Sequence, residues 1–453
     1  MKVHILSNSL RMNSGFSIVA KNLAIGLKKL GYQVSFTGMQ TAYLPEYDYG
    51  IEQLPIQVGH IDDMTQYMIT LDRIKPDVVL NIFQADYEYN DFPKVFKKGI
   101  WYPPVEGKNI PQTMANDLLN VKMNGGEIVA QTRYGQGEIQ LALGGIDVPY
   151  IYHGFDDKIF KPIDLNKRDE MTYCYYKTES GKANSDPIIL HKFGCYDCQL
   201  NNKEQPTCPH YKEEYIGVLK FIDGKWTEEN MPITKLPMVT KGKHVFLFVG
   251  QNLGVRKRIE RLLKAYYLFI KDSKQLRDRT ILHLHAMPIS INGANLIHII
   301  QSLGIQESVV FSYGTYRSSG WSNEAINVLY NTADINVSAS SSEGFCLPVL
   351  EGFATGVPMI APNCSSFIEL IGDGEKDPEK SRGLLANIGE WQMIENGSER
   401  ALVNELHLSI MMKKMYQSED LRKTFSKNSI KFAQNYTWDK ICLIWDSLLK
   451  EIK

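Results

Sequence analysis

The 453-residue chain has no excess of charge of either sign: 50 Lys and Arg stand against 51 Asp and Glu, a net charge of −1. Such a balance gives no field to hold a polyanion, so a dedicated nucleic-acid binder is disfavoured and no nucleic-acid partner is expected. Long apolar runs are missing too. None approaches the roughly 20 residues that cross a bilayer, and the opening MKVHIL is too short for the hydrophobic core of a leader peptide. The chain is therefore expected to be cytoplasmic. Peripheral membrane contact through a surface helix stays open, because such a helix needs no long apolar run. Cysteine is sparse: seven in all, three of them between 195 and 208, too few and too uneven for a disulfide framework. No internal repeat is present beyond an echo between two halves of similar grammar.

What is present is ordinary globular material, 43% hydrophobic and 22% charged, with ample core. At roughly 150 residues per domain the length allows about three units. Residues 2–6 (KVHIL) read as a strand, after which Phe16, Val19, Leu23, Leu27 and Leu30 recur at helical steps up to Gly31. Tyr32, Val34 and Phe36 then alternate as a second strand, and another unit closes at Lys75-Pro76 before Val78-Val79-Leu80. The same strand-turn-helix grammar restarts at His244. Strands at 245–250, 281–285, 309–312, 335–338 and 358–361 alternate with helices near 259–269, 293–303, 323–332, 348–355 and 365–371, and the final sixty residues read as helical. The pattern implies an α/β chain of two Rossmann-like, doubly wound lobes, with ligand crevices at the carboxyl ends of parallel strands. The boundaries read as 1–165 for a first lobe, completed by a C-terminal helix at about 436–453, and 244–435 for a second. Residues 166–243, where the alternation disappears, read as a Cys-containing insertion between them.

The most specific stretch runs from Ala333 to Pro358. A strand ends in a small-residue turn, Glu343 follows, and a helix begins near Pro348, a residue pre-organised for a first helical position. The N–H groups of residues 344–347 can then face an anion. Glu343 lies before that helix and Glu351 in its first turns, so two carboxylates suited to accepting sugar or ribose hydroxyls share one crevice.

This stretch, with Gly344-Phe345-Cys346-Leu347-Pro348 between the glutamates and Ala354-Thr355-Gly356-Val357-Pro358 after them, resembles the Glu-x7-Glu signature of retaining glycosyltransferases of the GT-B fold, in particular glycosyltransferase family 4. The resemblance spans both lobes and omits 166–243. It implies a hexosyltransferase (EC 2.4) using a nucleotide-sugar donor, UDP- or GDP-linked, and a saccharide, lipid-linked or protein acceptor. Lys257 would hold the donor diphosphate, Glu343 the sugar hydroxyls, the backbone of Gly344, Phe345, Cys346 and Leu347 the phosphates, and Glu351 the ribose. Gly15, in the turn Asn13-Ser14-Gly15-Phe16, would let backbone approach the donor. On the acceptor side, Glu106 in Trp101–Gly107 would take a hydroxyl and Arg133 would reach phosphate, whereas His153 reads as structural. One position departs from the family: in Gly250–Arg258 an Arg usually follows the glycine, and this chain has Gln251. Arg256 or Arg258 would then have to turn inward, or the diphosphate would rely on Lys257 and the helix terminus. No Asp-x-Asp occurs, so the resemblance implies catalysis without a cofactor or divalent ion. Two rivals stand beside this reading: a GT-B nucleotide-sugar epimerase or phosphorylase, and a silent scaffold that binds a partner through the insertion.

Within the insertion, Cys195, Cys198, Cys208 and His210 place four soft ligands in sixteen residues. They could close a tetrahedral structural zinc site, with free thiols in a loop as the equal alternative.

Overall fold

The computed structural model describes residues 1–8, 14–39, 52–53, 71–82, 99–166, 173–174, 211–212, 215–253, 256–313 and 321–452. The first lobe is built from β1 (Lys2–Asn8), α1 (Gly15–Lys29), β2 (Gln33–Met39), β3 (Glu52–Gln53), β4 (Val78–Asn81), β5 (Gly99–Trp101), α2 (Gln112–Met123), β6 (Glu127–Ile128) and α3 (Arg133–Ala142). Its strands lie in the order 3-2-1-4-5-6 and run parallel. In β1, Val3 to Asn8 are buried without alternation, because a parallel strand is covered on both faces. Ser14 caps α1 by accepting the Ser17 N–H, and Val19, Leu23 and Leu27 are the buried stripe.

The second lobe contains β7 (Tyr215–Ile222), β8 (Lys225–Pro232), β9 (His244–Val249), α4 (Ile259–Ile270), β10 (Thr280–His285), α5 (Leu296–Leu303), β11 (Val309–Tyr313), α6 (Asn323–Asn331), β12 (Ile335–Val337), α7 (Leu347–Ala354), β13 (Met359–Pro362), α8 (Ser366–Ile371) and β14 (Gly383–Ala386). Its sheet runs 8-7-11-10-9-12-13-14, parallel from β11 through β14. Phe246, Phe248, Leu262, Tyr266, Leu284 and Phe311 are among the side chains buried in its core.

Two sequence expectations change. Residues 215–232 form an antiparallel hairpin, and β7 pairs with β11, so this end of the 166–243 stretch lies on the edge of the second sheet. Buried Ile216 and Val218 anchor it there. The final stretch is not helical throughout either. Residues Ile388–Met393 (β15) and Glu399–Val403 (β16) form an antiparallel hairpin before α9 (Glu405–Gln417), α10 (Glu419–Ala433) and α11 (Trp438–Glu451). Asn396-Gly397 at its tip, with Gly397 at φ +86°, is a turn signal.

The chain's last helix packs on its first. Trp445 is fully buried and meets Tyr102 edge-on at 5.0 Å, and the Tyr32 hydroxyl donates to Asp446 at 2.7 Å. Among the described residues no helix is long and apolar enough to cross a membrane.

Candidate functional site

The ends of β9 and β12 open into two adjacent loops at the carboxyl edge of the second sheet. The first carries Arg256 and Lys257 into α4. The second runs through buried Ser338 and Ser340–Ser342 to Glu343 and then α7. Cys346, the residue before α7, sits in the left-handed region at φ +77°, where a side chain other than glycine or asparagine is strained. The turn places Cys346 and Pro348, at the start of α7, in the wall of a cleft also lined by Phe248, Lys257, Tyr330, Ser338 and Glu343.

The centre of the cleft is ionic. Glu343, only 6% exposed at its side chain, accepts from Lys257 Nζ at 2.6 Å and from the Arg256 guanidinium at 2.7 Å. Burial alone would raise the pKa of Glu343, but Arg256 and Lys257 override it and hold it down at about 2. Arg256 also reaches Glu106 of the first lobe at 3.1 Å, and Glu106 faces Arg400 of β16 at 3.6 Å. Burial opposes the charge of Arg256, yet Glu343 and Glu106 more than offset it and raise its pKa. Burial raises the pKa of Glu106, with Arg256 pulling it back. Such close, partly desolvated charge pairs fix geometry more than they stabilise the fold.

Glu351 is half-buried one turn into α7 and accepts the Tyr330 hydroxyl at 3.0 Å; burial pushes its pKa up to about 7. Phe345 packs against His153 at 4.7 Å and Tyr152 at 5.7 Å between ring centroids. His153 is buried, its pKa lowered to about 3 by desolvation, between the Tyr102 hydroxyl and Gln131. Gly344 lies so close to the first lobe that a Cβ there would sit 2.7 Å from Pro104. The turn before α7 is thus also a contact between the lobes.

The sequence-identified residues divide accordingly. Lys257, Glu343 and Cys346 line the cleft, Arg256 joins it through Glu343 and Glu351 through Tyr330, whereas Gly344 and Phe345 pack on the first lobe and Leu347 is buried. Of the two arginines that could replace the missing one at 251, Arg256 turns inward, while Arg258 donates to Gln392. Gln251 is exposed in the turn after β9, and Gly15 is exposed at the start of α1 with open space around it. Arg133 donates through its guanidinium to Tyr150 at 2.8 Å and lies over that ring on the exposed face of α3, outside the Glu343 ion pairs. Its backbone N–H and that of Tyr134 instead take the Glu369 carboxylate of the second lobe as a cap. Glu106 pairs with Arg256 and faces Arg400, and it also lines a second cleft with Lys108, Asn396, Ser398 and Arg400. Sequence reasoning missed Arg400 and Tyr330. Neither belongs to a recognisable motif, and Arg400 is brought in by the hairpin. Cys195, Cys198, Cys208 and His210 lie outside the described residues.

With the geometry established, residues 237–431 match the family model described as Glycosyl transferases group 1. Over 78 residues the chain is 36% identical to an MMP alpha-(1->4)-mannosyltransferase of Mycolicibacterium hassiacum, covering 17% of this chain and 18% of that protein. Over 267 residues it is 24% identical to the O-antigen chain mannosyltransferase B of Escherichia coli, covering 53% of this chain and 64% of that protein. The chain therefore spans less than two thirds of either relative. Among solved structures it superposes on Anabaena HepE, determined in complex with UDP-glucose, with a TM-score of 0.63 at 12% identity, covering 100% of both chains. The fold is that of the GT-B glycosyltransferases, and the second lobe carries a glycosyl transferases group 1 domain.

Proposed function

We propose that the chain is a retaining glycosyltransferase that moves a sugar from a nucleotide-diphosphate donor to a saccharide, lipid-linked or protein acceptor. The observation that carries this reading is the convergence of Arg256 and Lys257 on Glu343 at the N-terminus of α7. Two cations and a helix terminus in a partly desolvated cleft suit a leaving diphosphate, whose negative charge grows as the glycosidic bond breaks. Glu343 pairs with both cations. A diphosphate would take its place on them, leaving the carboxylate to accept sugar hydroxyls, and Glu351 beside Tyr330 would take the ribose. The similarity to two mannosyltransferases and the UDP-glucose complex of the structural neighbour support a nucleotide-sugar donor.

In the retaining reaction the bond from the anomeric carbon to the phosphate oxygen breaks and the acceptor oxygen bonds to that carbon from the same face. The acceptor proton passes to the released phosphate oxygen, so no protein base of the glycosidase kind is required. What the protein supplies is position and fixed charge. Since Arg256, Lys257 and the helix terminus already provide the positive field, the reaction needs no divalent ion, and excess chelator should leave turnover unchanged within about twofold. A loss restored by added magnesium would contradict this. Gln251 at the family's arginine position would suit a silent scaffold, but Arg256 beside Lys257 supports a working donor site. A hydrolysis and transfer screen across UDP-, GDP- and ADP-sugars tests the reading.

A further inference from the structure

Glu106 was expected to serve an acceptor hydroxyl, yet its carboxylate has another occupation. It lies in the loop after β5, which is clamped to the second lobe by a reciprocal backbone pair: Lys108 N–H donates to Glu399 O at 2.9 Å and Glu399 N–H to Lys108 O at 3.0 Å. Gly107 makes the clamp possible, at φ +109° and with only 2.4 Å between a hypothetical Cβ and Glu399 O. Lys108 Nζ, 3.7 Å over the Trp391 ring, adds a second attachment to the same hairpin. A carboxylate held this firmly in the first lobe is 3.1 Å from Arg256, and on its other side Arg400 of the hairpin is 3.6 Å away with its Nε unpaired. Once a diphosphate displaces Glu343, Glu106 is the carboxylate still in place against Arg256.

We infer that Glu106 is a positioning residue that reaches across the lobe interface to hold the Arg256 guanidinium at the donor site, so that Arg256 can take the place of the arginine absent at position 251. This rests on the donor reading above. It also ties assembly of the donor site to approach of the lobes, because the two partners belong to different lobes.

Two effects of opposite sign separate this role from a simple electrostatic or acceptor role. A carboxylate near a phosphate site repels the ligand, so removing it should strengthen binding unless the carboxylate orients a cation that matters more. Glu106→Gln in the otherwise unaltered chain should therefore weaken binding of UDP or GDP, whichever the chain prefers, by about three- to tenfold. With Arg256 already replaced by Ala, Glu106 keeps only Arg400, at 3.6 Å, and has no donor-site guanidinium left to orient. Adding Glu106→Gln to Arg256→Ala should then leave binding unchanged or strengthen it. Glu106→Asp should recover part of the loss. The measurement is isothermal titration of UDP and GDP into the full chain and these four variants, with thermal midpoints taken in parallel to confirm folding.

Independent losses in the double variant, or wild-type binding by Glu106→Gln, would overturn the inference while leaving the donor reading intact. Binding of neither nucleotide by the unaltered chain would overturn the donor reading and this inference with it.

Discussion

At the residue scale, the arginine at the cleft is one of the two the sequence offered for the arginine missing at 251. The family position is filled by Gln251, and Arg256 and Arg258 were equally eligible from sequence. Only the path of the loop into α4 separates them: Arg256 faces Glu343 and Glu106, and Arg258 faces Gln392. Arg256→Ala is therefore expected to lower turnover by about 10²- to 10³-fold, the scale of a lost transition-state contact, whereas Arg258→Ala should stay within about twofold. Steady-state kinetics with the preferred donor decides, and the reverse ranking would refute the assignment. Glu343 and Glu351 stood out because type, spacing and context coincide in one motif, and Lys257 because it fills the family's lysine position in the separate stretch Gly250–Arg258. Glu106 was legible as a residue of interest but not in its role, since its partners come from segments about 150 and 300 residues further along the chain.

At the scale of elements, the repeated strand-turn-helix units were readable because parallel strands are continuous apolar runs and helices carry a 3.6-residue stripe. The β15–β16 hairpin was not. Its strand faces are half exposed, so hydrophobic periodicity is weak, and the Asn396-Gly397 turn was its one clear signal. The edge hairpin at 215–232 was hidden for a related reason: of its sixteen strand residues only Ile216, Gly217, Val218 and Met231 are buried. The α7 turn is where element and interface meet. Gly344→Ala would press a methyl group within 2.7 Å of Pro104 and 3.2 Å of Gln131, costing about 1–3 kcal/mol if the neighbours cannot yield. Since the strain falls between lobes, turnover should drop at least tenfold while the thermal midpoint falls by only a few degrees. Unchanged turnover at an unchanged midpoint would show that the lobes need not meet there.

At the scale of the whole molecule, the nearly neutral net charge proves to be local order on a neutral background, with three cations and two carboxylates meeting where the lobes touch. Two of the carboxylates give stability opposite dependences on pH. Glu343, held down at about 2, contributes stability that is present above its ordinary pKa near 4.5 and lost as pH falls toward 2. Glu351, raised to about 7, contributes stability that is present below 4.5 and lost as pH rises through 7. Glu351→Gln, which keeps an acceptor for the Tyr330 hydroxyl, should thus gain on the unaltered chain in urea midpoint between pH 5 and 8. A constant difference across that range would mean that Glu351 ionises normally.

In the proposed reaction this cleft releases a nucleotide diphosphate from a sugar. The most direct measurement is nucleotide release from a panel of UDP-, GDP- and ADP-sugars by the unaltered chain and by Arg256→Ala. The account predicts strong, selective release from one donor class, cut about 10²-fold or more by the substitution. Equal rates in the two proteins, or no release from any donor by the unaltered chain, would contradict it.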